Sequence, residues 1–89
     1  MPIHIYKENF KTIEHIAKND WDLPTQIFEL EKWLENKGKK ISKGKYVADI
    51  GFEVRKDASG GGAILNSEMI KTLNEIGMEI YFSEYKMEK

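Results

Sequence analysis

The stretch that decides the fold is KYVADIGFEVRKDASGGGAILNSEMIKTLNEIGMEIYFSEY, residues 45–85. It opens on alternation. Tyr46, Ala48, Ile50, Phe52 and Val54 point one way, and Val47, Asp49, Gly51, Glu53 and Arg55 the other. That pattern predicts a strand over Tyr46–Lys56 with one face on a core and one in water. Asp57–Gly62 reads as a turn and Ala63–Leu65 as a short returning strand, so together they predict a hairpin with a long tip. Asn66-Ser67 begins a helix with Ser67 as N-cap and Glu68 in the first turn. Met69, Ile70, Leu73 and Ile76 form its apolar stripe, and Gly77 stops it. Met78–Tyr85 alternates again, with Met78, Ile80 and Phe82 inward and Glu79, Tyr81, Ser83 and Tyr85 outward.

Working back toward the N-terminus, Leu23–Lys37 is the clearest helix of the first half. Asp22 suits the N-cap and Pro24 the first turn, while Leu23, Ile27, Leu30 and Leu34 lie along one stripe. Gly38 fits a left-handed stop. Asn9–Lys18 predicts a short helix, with Phe10, Ile13 and Ile16 at helical spacing and Glu14–Lys18 as an i,i+4 pair. The rival reading there is a strand through Thr12–Ile16, favoured by its β-branched residues. Pro2–Lys7 predicts an edge strand, Ile3 and Ile5 facing away from His4 and Tyr6. Lys86–Lys89 reads as a frayed tail.

These elements predict an α+β fold: a small antiparallel or mixed sheet with two or three helices packed on one face. The 89 residues fit one domain, residues 1–89, burying roughly 60–65% of the unfolded surface. Cysteine is absent, which rules out a disulfide framework and a thiolate zinc site. The first residues lack a signal peptide's basic flank and apolar run, so the expectation is a cytoplasmic, soluble protein.

The net charge of −1 gives no global field to draw nucleic acid or an anionic membrane. The charge is blocked, however: 8–35 and 49–84 are acidic on balance, and Lys37–Lys45 holds five lysines and no acid. That run could meet phosphates, but it lacks arginine and an interleaved aromatic, so a solvated loop is the plainer reading. Ser59-Gly60-Gly61-Gly62 resembles a phosphate loop only superficially. Ala63-Ile64-Leu65 separates it from the helix, and no Lys-Ser or Lys-Thr follows. His4 and His15 stand eleven positions apart without metal-ligand spacing, and read as surface or half-buried rings. Asp20 and Asp22 flank Trp21. Paired carboxylates can hold a divalent ion, but Asx residues before a helix are also what capping requires, and Trp21 reads as a core plug, with an exposed anchor as the rival reading. No catalytic residue, cofactor site or metal site is assigned. The candidate partner interface is the outward row Asp49, Glu53, Arg55, Tyr81 and Tyr85, with Asp20 and Asp22 as a second patch, since tyrosine and arginine are enriched at interface hot spots.

Three runs carry a family resemblance: Val47-Ala48-Asp49-Ile50-Gly51-Phe52-Glu53-Val54, Gly60 through Ile70, and Leu73-Asn74-Glu75-Ile76-Gly77-Met78-Glu79-Ile80. With the Leu23–Gly38 helix before them and the closing Tyr85, they resemble the final part of an uncharacterised bacterial domain family that includes immunity proteins of polymorphic-toxin systems. The resemblance implies a non-enzymatic protein that neutralises a cognate protein toxin by binding it. A homodimer through the open face or the Met78–Tyr85 edge is an alternative partnership. A nucleic-acid-associated domain using Lys37–Lys45 is the alternative function.

Overall fold

A computed structural model describes residues 2–57 and 59–86. Its elements run β1 (Ile3–Lys7), β2 (Thr12–Ile16), α1 (Leu23–Asn36), a 3₁₀ turn (Gly38–Lys40), β3 (Tyr46–Glu53), α2 (Ser67–Ile76) and β4 (Met78–Tyr85). The strands form one mixed sheet in the order β2-β1-β3-β4. β1 pairs antiparallel with both β2 and β3, while β3 and β4 run parallel. Both helices contribute to one core on one face, which is the α+β arrangement expected.

Register explains the two faces. Ile3 stands opposite Ile50, Ile5 opposite Ala48 and Tyr46 opposite Met78, so one pleat collects the apolar residues. Onto them pack Ile27, Leu30, Trp33 and Leu34 from α1 and Met69, Leu73 and Ile76 from α2. Ile3, Ile5, Leu30, Ala48 and Ile50 are completely buried. A strand's side chains alternate, so the other pleat carries His4, Tyr6, Val47, Asp49, Tyr81 and Ser83 on a face without a helix.

Helix α1 begins as expected: Asp22 Oδ2 accepts from the Thr25 amide at 3.3 Å and from its hydroxyl at 2.9 Å. Helix α2 is capped one residue earlier than expected. Asn66, not Ser67, accepts from the Met69 amide at 2.9 Å. Gly38 is not left-handed. Helix α1 passes into the 3₁₀ turn through Lys37 at φ −91, and Gly38 is buried, where a Cβ would meet Leu34 at 3.0 Å and Trp33 at 3.3 Å.

Four further expectations are corrected. Residues 12–16 form a strand, not the second turn of a helix. Thr12, Ile13 and Ile16 are β-branched, and β1 supplies a partner: Ile3 opposes Ile16 and His4 opposes His15. Asn9, the first residue of the expected helix, instead accepts through its side chain from the Lys11 amide inside the β1–β2 turn. Second, β1 is interior rather than an edge, and Pro2 is among the fully buried residues. Third, Ala63–Leu65 is not a strand, and the place beside β3 is taken by β1. Gly60, Gly61 and Gly62 all adopt positive φ, carrying the chain away from strand geometry, and Ile64 is left 79% exposed. Fourth, the inward rows do not stay buried to their ends, since Val54 and Phe82 are exposed. Of the tail, residues 87–89 lie outside the described residues.

The parallel pairing of β3 and β4 depends on one crossing. Gly77 ends α2 at φ 81, its carbonyl accepts from the Tyr46 amide at 3.1 Å, and the Ile76 carbonyl accepts from the Gly44 amide at 3.0 Å. A Cβ on Gly77 would collide with the Gly44 carbonyl oxygen. Gly77→Ala therefore adds a backbone clash to the cost of a left-handed non-glycine residue, which alone is about 1–2 kcal/mol. Urea denaturation should show a loss of at least about 2 kcal/mol.

Candidate functional site

The helix-free face is built from one residue per strand at each level. Across its middle, His15 of β2 stands beside His4 of β1, His4 beside Asp49 of β3, and Asp49 beside Tyr81 of β4. The His4 and His15 rings stack 4.4 Å apart at 11°. His4 Nε2 lies 2.9 Å from the Thr12 hydroxyl. Ser83, from the next outward position of β4, donates to Asp49 Oδ1 at 2.6 Å. Tyr6 lies between His4, at 4.9 Å, and Phe10, stacked at 5.6 Å.

Burial and like charge set the electrostatics of this row. Burial lowers the His4 pKa below the ordinary histidine value, and the facing His15 lowers it further, against a smaller raising effect from Asp49. Burial raises the Tyr6 pKa, with Asp49 and Tyr81 adding to it. Outside this face, burial pushes the Glu14 carboxyl up, but hydrogen bonds from Lys37 and Trp33, with the Lys37 charge, outweigh it and hold it below the usual carboxylate value.

The second patch joins the first at the far end of the sheet. An open groove of about 1540 Å³ lies past the carboxyl ends of β3 and β4, and Asp20, Trp21, Asp22, Glu53 and Arg55 all line it. Tyr85 meets Trp21 edge to face at 5.6 Å. Trp21 is therefore not a core plug. It is half-buried on the groove wall, and the core tryptophan is Trp33. Gln26 fixes this corner. It is fully buried on α1, and its Nε2 donates to the Gly51 carbonyl at 2.6 Å and to the Asp20 carbonyl. The Glu53 amide adds a bond to the Trp21 carbonyl at 2.9 Å. Arg55 lies beyond β3, so it belongs to the groove and not to the sheet face; its Nη2 is 3.3 Å from the Gly60 carbonyl oxygen.

The seven anticipated residues thus fall into two sets. Asp49 and Tyr81 sit in the central row. Asp20, Asp22, Glu53 and Arg55 line the groove, with Tyr85 linking the two through Trp21. Trp21 takes the rival, anchor reading rather than the core one, and the His4–His15 pair was not anticipated as part of this surface. The β-branched residues of Thr12–Ile16 were the signal that would have found the histidine pair, because a strand there, joined by a tight turn to β1, makes residues 4 and 15 cross-strand neighbours. Two of the five loop lysines already face acids: Lys37 bonds both Glu14 oxygens, at 3.0 and 3.1 Å, and Lys45 lies 3.6 Å from Glu8. Among the described residues, no group of three or more His, Asp or Glu is placed to hold a metal ion, and no helix is long and apolar enough to cross a membrane.

Comparison with known proteins gives no match: no family model, curated protein or solved structure matches the chain.

Two measurements check this geometry. Gln26→Leu removes the hydrogen bonds to the Gly51 and Asp20 carbonyls together with a buried Oε1 that has no partner, so we expect a net loss of about 1–2 kcal/mol in denaturation and a shifted Trp21 indole resonance. In an NMR pH titration, His4 should titrate below the ordinary value of about 6.5, and His15→Gln should move it upward. Because the folded-state pKa is depressed, the unfolded chain takes up the proton first. His4's contribution is complete above about pH 6.5 and erodes as pH falls through its own lower value.

Proposed function

We propose that this chain is a non-enzymatic binding protein, most concretely a bacterial immunity protein that neutralises a cognate toxin by covering its active or substrate surface. The observation that carries the reading is the sheet face opposite the helices. It displays Tyr81 and Tyr85 at 51% and 40% exposure, with Asp49 and Glu53 on the adjacent strand and Trp21 against Tyr85. Tyrosine and tryptophan on a rigid sheet offer large contact area at low rotamer cost, which is the character of interface anchors. The acidic groups Asp20, Asp22, Asp49 and Glu53 suit a basic partner, whose approach they would accelerate and orient. The family resemblance of residues 23–85 gives the partner its proposed identity.

Co-expression with the product of the adjacent gene, followed by co-purification and growth rescue, tests the proposal. We expect a complex. Tyr81→Ala with Tyr85→Ala should weaken it at least about 10-fold, the scale of a hot-spot loss. Gly51→Ala should weaken it too, because its added Cβ would lie 2.9 Å from the Tyr85 ring and displace it. Replacing Lys39 and Lys40 by alanine should leave binding unchanged. Absence of a complex, or loss on the lysine changes alone, overturns the reading.

A further inference from the structure

The two edges of the sheet are built differently. Strand β2 has five residues, pairs through a register shift opposite Ile5/Tyr6, and is bracketed by left-handed Phe10 (φ 63) and Ala17 (φ 50). Shortness, bulging and bent ends are the devices that stop a sheet edge from pairing with another chain. Strand β4 has none of these three; its only charges are Glu79 and, on the inward parity, Glu84. It runs eight residues in unbroken register with β3, and carries no proline, lysine or arginine.

Its free side can be assigned residue by residue. The Gly77 carbonyl accepts from the Tyr46 amide, and the Tyr85 carbonyl from the Val54 amide. Every second residue of a strand turns its backbone groups the same way. Glu79, Tyr81 and Ser83 therefore turn theirs toward β3, and Ile80, Phe82 and Glu84 turn their N–H and C=O groups outward. Phe82, at the middle of this row, is 53% exposed, with Phe52 edge to face at 6.3 Å.

We propose that β4 is a dimerisation edge, at which two copies of this chain pair antiparallel to make one sheet continuous through both. This goes beyond the binding face, because it uses the strand's edge and leaves Tyr81 and Tyr85 outward. A second copy is the occupant that the edge itself selects. About a twofold axis, outward donors of one copy meet outward acceptors of the other. Ile80, Phe82 and Glu84 must face their own kind, so the two registers of fullest overlap set Phe82 opposite Phe82 or opposite Ile80. In the first, Glu84 faces Ile80 and Glu79 faces Tyr85. In the second, Glu84 faces Met78 and Glu79 faces Ser83. Neither register opposes like charges, and both cover the exposed phenylalanine with an apolar residue. One strand pair covers less than the ~800 Å² per partner of a standard interface, so the dimer is concentration-dependent, dissociating at about 10–100 μM.

Sedimentation velocity from about 5 μM to about 1 mM brackets that range. The full chain should pass from monomer to dimer. Phe82→Lys should remain monomeric, as should Glu84→Pro, whose lost N–H faces away from β3; both should keep the native circular dichroism. A chain monomeric throughout, or a dimer that persists in either folded variant, overturns the proposal. Hydrogen exchange of the unaltered chain decides the matter even if the variants unfold. The Ile80, Phe82 and Glu84 amides should be slowed at least about 10-fold between the lowest and highest concentrations, an effect of mass action. Unchanged exchange with a formed dimer places the contact elsewhere.

Discussion

Everything in this fold passes through the crossing of Gly44 and Gly77. A parallel partner for β3 requires the chain to leave its end, travel back along the sheet and re-enter at its start. Residues 54–66 and α2 make that return, and Gly77 makes the re-entry, its carbonyl bonded to Tyr46 while Ile76 is bonded to Gly44. The approach there is too close for a Cβ. If Gly77 could not turn, β4 would lose its register with β3, α2 would lose its seat on the core, and the outward row would lose Tyr81, Ser83 and Tyr85 together.

Most of this architecture is legible in the sequence because its period is unambiguous. Tyr46–Glu53 and Met78–Tyr85 alternate strictly. Both helices have an apolar stripe, Asp22 supplies the cap of the first, and Gly77 the left-handed stop of the second, whose cap falls on Asn66 and not on Ser67. What was misread are segments whose local pattern fits two periods. Phe10, Ile13 and Ile16 satisfy helical spacing, while Thr12, Ile13 and Ile16 satisfy β-propensity; β1, the other strand of the hairpin, decides between them. Ala63-Ile64-Leu65 has the composition of a strand, but strand composition does not reserve a place in a sheet. The place beside β3 goes to Ile3–Lys7, which arrives with matching alternation and without three glycines at positive φ.

The candidate surface was legible in parts and not as a whole. Alternation alone placed Asp49 and Tyr81 outward. It could not show that the Asp20–Asp22 turn reaches the end of β3, because that depends on Gln26. A buried glutamine on an otherwise apolar helix face carries no periodic signature, and its role appears only when its amide is found between the carbonyls of Asp20 and Gly51. Trp21 was misassigned for the same reason. A large aromatic in a small domain is usually core, and here that position is filled by Trp33, which also donates to Glu14 at 3.2 Å.

The parallel strand pair also has a kinetic meaning. The β1–β2 hairpin closes over a short turn and can form early, whereas β3 and β4 can meet only after the long connection between them has been closed, at an entropic cost that grows with its length. β4 is also made after every other strand of the sheet. The outward row therefore assembles in two stages: its histidine half can form with the β1–β2 hairpin, and its tyrosine half arrives with the docking of α2 and β4, so the complete row belongs to the fully folded chain alone.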